Sequence, residues 1–265
     1  MGGFGKTENE YPGNDDVISR KIEEAALAFE GVRDRLWVQL VEKENGLIQS
    51  GKYPYKEVEG TDLVAVYQVR EGGRKPGRSD PFVDNTMMRK WRADPYCLDW
   101  IALKSTMHQM PARITTLNGL FRQDTRAVNP EEVCCKSGVT YILTNAEIRY
   151  ATAMLRYPGL LQALAENSGS DLYILPFSPH AMALRKVEEG MQLRWLQCLL
   201  VEINMTKEAS DKILSNHVYR YDRKEQCLSC ATTEEETREI LKRFLVARGH
   251  GQSTMPEDDK EWLER

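Results

Sequence analysis

The sequence has no run of about 18 apolar residues, the length a helix needs to cross a bilayer, so no membrane span is expected. Its first residues, Met1 to Asp16, are polar and glycine-rich and lack the apolar stretch of a secretory signal. Six cysteines in 265 residues are too few for a dense disulfide framework, and Cys134 and Cys135 are adjacent. A reducing, cytoplasmic setting is the expectation. Charge of one sign is also missing, since 36 basic against 40 acidic residues leave a net charge of -4. That balance argues against binding nucleic acid through bulk charge and against mimicking DNA with an acidic surface. Histidine is scarce, with four in the chain and no H-x-x-x-H pair to hold a metal on one helix face.

What is present suits a soluble globular chain: 41% hydrophobic and 29% charged residues, enough for one sizeable core or two small ones. Residues 1–13 read as a tail. A long helix capped near Asn14 to Asp16 is expected, with Ile18, Ile22, Ala25, Phe29, Val32 and Leu36 spaced by three and four. Leu40 extends this stripe, but Leu36 to Val41 reads equally well as a strand. Asn45-Gly46 and Gly51 to Pro54 are turns, and Asp62 to Val69 is a β-branched strand. Phe82 to Ser105 reads as helix broken near Pro95, and Asn129-Pro130 suggests another helix start.

The pattern becomes more regular after residue 138. Val139 to Leu143 predicts a strand, and Asn145 an N-cap for a helix carrying Ala151, Met154 and Leu155. Pro158 opens a second helix with Leu160, Leu161 and Leu164, which Ser168-Gly169 ends. Leu172 to Leu175 and Ala181 to Val187 are strands around a Pro-Phe-Ser-Pro corner. Leu193, Leu196, Leu200 and Ile203 mark a helix face, and Val218 to Tyr221 with Cys227 to Ala231 form a hairpin. Thr233 and Glu236 make a capping box for a last helix. The division expected is a helix-rich region 14–138, an α+β core 139–248 and a tail 249–265. The fold class is α+β, a mixed or antiparallel sheet with packed helices and a more helical N-terminal part.

Several motifs invite a chemical reading. Gly2-Gly3-Phe4-Gly5-Lys6-Thr7 resembles the end of a phosphate loop but has no preceding strand to aim it, and Lys6 breaks the myristoylation pattern. Cys227-x-x-Cys230 has the spacing of half a zinc site, with His217, Cys198 or the Cys134/Cys135 pair as distant partners. Packing cysteines in a hairpin are the simpler reading, and no cofactor is implied. Ser178 and His180 share a strand face and form the one nucleophile–base candidate, without a G-x-S-x-G elbow or an identifiable acid. The simpler reading is a polar strand corner. Arg70, Arg74, Lys75 and Arg78 make a basic loop able to grip phosphates or an acidic protein. Trp91, Tyr96 and Trp100 read first as core, and as a binding hot spot if exposed.

Tyr141-Ile142-Leu143-Thr144-Asn145, Leu155 to Leu161, Asp171 to His180, Glu202 to Thr206 and Val218 to Arg223 resemble a family of bacterial proteins defined by a domain of unknown function. Gln109 to Phe121 is weakly similar to the part upstream. Family members read Leu-Pro-Ser-Ser, one residue, His-Glu at the corner. Here Phe177 replaces the first Ser, Pro179 precedes His180, and Ala181 replaces the Glu. The resemblance implies an α+β fold and a bacterial or mobile-element setting, and supplies no activity. The leading expectation is a non-enzymatic cytoplasmic interaction protein, such as a regulator or inhibitor in defence or counter-defence, with a protein partner. A hydrolase using Ser178 and His180, and a nucleic-acid binder using the Arg70 to Arg78 loop, are the alternatives.

Overall fold

The computed structural model describes residues 29–70, 80–116, 119, 132–206 and 213–249. The helix expected from residue 14 falls almost wholly outside them, as do Arg74, Lys75, Arg78 and the Asn129-Pro130 start. Phe29 to Leu36 is not its continuation. A 3-10 turn at Arg33–Arg35 leads directly into β1 (Leu36–Glu42), so the Leu36 to Val41 ambiguity resolves to a strand.

β1 pairs antiparallel with β3 (Leu63–Val69), and β3 with the short β2 (Tyr55–Glu57), giving the order β1-β3-β2. Both faces of this sheet are covered. Leu36, Val38 and Leu40 of β1, with Leu63, Ala65 and Tyr67 of β3, enter the main core. Val41, Val64 and Val66 on the other face pack with Ile48 of the short helix α1 (Gly46–Gln49) and with Phe82. Burial on two sides turns the alternation of a strand into a near-continuous apolar run.

Asp84 caps α2 (Asn85–Trp91) by accepting the Met87 N–H, and left-handed Arg92 ends it. Asp94 then caps α3 (Pro95–Gln109), with Pro95 in its first turn, so the expected break is found. Leu98, Ile101 and Ala102 of α3 join the main core, while Thr106 Oγ1 accepts the Val38 N–H at 2.9 Å and so covers an edge of β1.

The second sheet has six strands in the order β4-β5-β7-β6-β8-β9: β4 (Arg113–Thr116), β5 (Tyr141–Thr144), β6 (Leu172–Ser178), β7 (Ala181–Lys186), β8 (Tyr219–Asp222) and β9 (Cys227–Cys230). Every pairing is antiparallel. One face, with Leu143, Leu172, Ile174, Leu184 and Tyr219, shares the main core with the first sheet and with α4 (Leu160–Ser168). The other face packs Ile142, Leu175 and Ala183 on Leu196 and Leu200 of α5 (Leu193–Met205). Helix α6 (Glu234–Gly249) then lays Ile240 and Phe244 against Cys198 and Val201 of α5. Its capping box forms, with the Thr233 N–H donating to Glu236 Oε2 and the Glu236 N–H to Thr233 Oγ1. The main core draws residues from both sides of position 138.

A polar seam ties the first sheet to the second. The β2–β3 turn presents Gly60 at φ +75°, where its carbonyl accepts the Cys230 N–H at 2.6 Å. A Cβ at Gly60 would lie 1.8 Å from the Leu228 carbonyl oxygen, so only glycine permits the approach. Beside it the Asp62 carboxylate accepts the Tyr219 hydroxyl at 2.5 Å and the Ser215 hydroxyl at 2.8 Å.

Candidate functional site

Two surface regions carry unusual geometry. The first follows β5. Asn145 does not cap a helix there. Its Oδ1 accepts the Glu147 and Arg149 N–H groups and its Nδ2 donates to the Arg149 carbonyl, folding residues 145–150 into a tight turn. The helical segment expected next is a 3-10 helix, Ala151–Arg156. An Asx turn and an N-cap use the same side-chain chemistry, so the sequence signal was real and its continuation differed.

Within that turn Ile148 and Tyr150 both sit at φ 49°. Left-handed backbone is unusual at a β-branched residue and is held only when the surroundings enforce it. Asn145 is one restraint. The other is His180, whose Nδ1 accepts the Tyr150 N–H at 3.1 Å and whose ring meets the Tyr150 ring edge-on. The tautomer with the proton on Nε2 is thereby selected. Ser178 Oγ accepts the His180 backbone N–H at 3.1 Å, closing the β6–β7 corner. Ser178 and His180 are therefore adjacent, and the bonds described for each serve backbone amides. In these bonds each side chain restrains a turn.

Tyr150 also packs on Trp37 of β1, ring centroids 4.3 Å apart, while the Arg149 guanidinium lies over the Tyr150 ring. Arg70, the last described residue before the basic loop, extends Nη2 to Glu147 at 3.3 Å. Trp37, Arg70, Asp80, Glu147, Arg149 and Tyr150 thus surround a cleft of about 170 Å³, measured out to solvent.

The second region is the outer face of α2 and α3. Trp91 is half-buried against Phe29, whereas Tyr96 is 63% and Trp100 40% exposed, which corrects the core reading for those two. They stand one turn apart on α3, with Lys56 over the Tyr96 ring and Lys104 over the Trp100 ring. Exposed Arg89, Lys90 and Arg92 precede them.

Beneath this face lies Asp99, 4% exposed. Its carboxylate accepts two bonds from Arg156, at 2.6 and 2.7 Å, one from the Tyr67 hydroxyl at 2.9 Å and one from Lys56 at 2.9 Å. Burial alone would raise the Asp99 pKa, but the donors from Arg156, Lys56 and Tyr67 outweigh it and hold the carboxyl below its ordinary range. The same burial and the Asp99 charge push the Tyr67 phenol upward. Sequence reading passed over Asp99, although an acid inside Cys97 to Ala102, an otherwise apolar run, is the mark of a buried ion-pair node.

The cysteine motif is in the β8–β9 hairpin. Cys227 and Cys230 are exposed, and partial burial of the Cys230 thiol together with the Asp62 charge pushes it up to about 11. That favours thiol over thiolate, the form a metal takes. His217 turns elsewhere, its Nδ1 3.1 Å from the Thr232 carbonyl and its Nε2 3.8 Å from Glu234. Among the described residues no cluster of three metal-ligating side chains occurs, and none of the six cysteines is in a disulfide. No described helix is long and apolar enough to cross a membrane.

These features define an α+β protein in which two antiparallel sheets share one core. The chain belongs to the family of unknown function DUF5688, whose model matches residues 13–223. No curated protein and no solved structure matches it.

Proposed function

We propose that the chain is a non-enzymatic protein-interaction module that binds an acidic partner through the outer face of α2 and α3. One observation carries this reading: Tyr96 and Trp100 are exposed side by side on a single helix. Four exposed cations accompany them, Arg89, Lys90, Arg92 and Lys104, in a chain whose net charge is -4. Aromatic anchors with basic neighbours are the composition of interface hot spots, and charge complementarity selects an acidic surface opposite. The buried Asp99 node fixes the helix beneath the rings, which lowers the ordering cost of binding.

A lysine ammonium already covers one face of each ring, which favours a protein partner over stacked bases. The sequence resemblance implies a bacterial or mobile-element setting, and within it we read the chain as a cytoplasmic regulator or inhibitor. The test is a lysate capture comparing wild type with Trp100→Ala/Lys104→Glu. An acidic protein retained at stoichiometric yield by wild type and lost by the variant is expected. Equal retention by both, or no stoichiometric partner, overturns the reading.

A further inference from the structure

The cleft beside the 145–150 turn carries a second signal, independent of the α3 face. Trp37 is 1% exposed and lines this cleft, yet its Nε1–H has no hydrogen-bond partner among the described residues. Arg70 lines it too, and its buried Nε–H is equally unpartnered. A buried donor without an acceptor costs about 1–3 kcal/mol, so two on one wall mark a place where an acceptor belongs. Strand geometry puts them together. Trp37 faces Gln68 across the β1–β3 ladder, and Arg70 follows Gln68 by two residues, on the same face.

We propose that this cleft binds a carboxylate, held by the Trp37 indole N–H and the Arg70 Nε–H. Arg70 and Arg149 bring two positive charges to the walls, and Asp80 and Glu147 bring two negative ones. That balance accepts a monoanion and opposes a phosphate dianion. The space of about 170 Å³ between these walls includes open solvent and encloses no water-sized space, far short of the roughly 300–1,000 Å³ of a cofactor pocket, which limits the ligand to a small group. Seating a carboxylate between the walls requires the Arg70–Glu147 pair, 3.3 Å apart, to open, since the closed cleft has no room for one. The carboxylate can come from a free small acid or from an acidic side chain of a protein.

The experiment follows the Trp37 Nε1–H and Arg70 Nε–H resonances of the full chain during titration with acetate. Parallel titrations use an acidic peptide blocked at both ends, sodium chloride at matched ionic strength, and inorganic phosphate. Saturable shifts of both resonances with acetate or with the peptide support the site. Acetate binding identifies a free acid as sufficient, whereas peptide-only binding identifies a protein side chain. Arg70→Gln should weaken either by about tenfold or more, the loss of one charge-assisted hydrogen bond. Trp100→Ala, which disables the α3 face, should leave the shifts intact. Shifts matched by chloride, or tighter binding of phosphate than of acetate, overturn the proposal. Gln68 Oε1, on the same face, has no donor among the described residues, which supplies the sharpest control. If Gln68→Leu moves the Trp37 indole resonance without added anion, Gln68 already takes that donor and the proposal fails.

Discussion

The seam between the sheets and the cleft beside the 145–150 turn are built from similar residues and have opposite economies. At the seam Asp62 collects two hydroxyls and the left-handed residue, Gly60, is a glycine, and in the node beneath α3 Asp99 likewise collects four donors. At the cleft, two buried donors lack acceptors among the described residues, and the left-handed positions fall on Ile148 and Tyr150. A region selected only for stability has no reason to keep orphaned donors and a strained isoleucine. The contrast separates what holds this protein together from the place where the proposed site lies.

Mutations should divide along the same line. Asp99→Ala leaves Arg156 and Lys56 without their carboxylate in a buried site, and a loss of about 3–5 kcal/mol in denaturant unfolding is expected. Gly60→Ala combines left-handed strain with the collision at Leu228, and roughly 2–4 kcal/mol is expected from the same measurement. An unchanged midpoint in either variant would dissolve the distinction.

Acid should reach the buried Asp99 node first. Asp99 has a depressed folded pKa, so its contribution is complete above the ordinary carboxylate range and is lost as pH falls through about 4 and below. Asp171 acts in the same sense: burial opposes, while the Arg223 N–H and the Arg220 ion pair lower its pKa. Unfolding midpoints measured from pH 7 to pH 3 should fall in wild type and fall less in Asp99→Asn.

At the cleft the sign reverses. Ile148 is exposed, and Ile148→Gly relieves its left-handed strain at the price of a more flexible unfolded chain, for a net gain of about 1 kcal/mol or less in thermal unfolding. Arg70→Gln removes a half-exposed ion pair and should change stability by less than about 1 kcal/mol. Substantial destabilisation by either variant would show the cleft to be structural.

Local signals were legible in the sequence and distant ones were not. The Thr233/Glu236 box, the Pro95 break and the hairpins β6–β7 and β8–β9 each lie within a few residues, where capping and turn chemistry act directly. β1 stayed ambiguous because burial on both faces erased its period of two. Asn145 was recognised as a cap, but whether a helix or an Asx turn follows depends on His180, thirty-five residues on. The exposure of Tyr96 and Trp100 depends on Asp99 turning inward to Arg156, and the cleft joins Trp37, Arg70 and Tyr150 from three segments. Of these meetings only the Asp99 node leaves a local trace, an acid inside the apolar run Cys97 to Ala102, and that trace does not name its partner.

The hydrogen bond between Asp62 and Tyr219 spans 157 positions of the chain. Closing so long a loop is slow, and it has to precede the contacts that depend on it. During synthesis the β2–β3 turn therefore emerges long before β8 and β9 exist to receive it. Until then Gly60 and Asp62 stand open to water, and the first sheet is a nascent structure waiting for the last hairpin to be made.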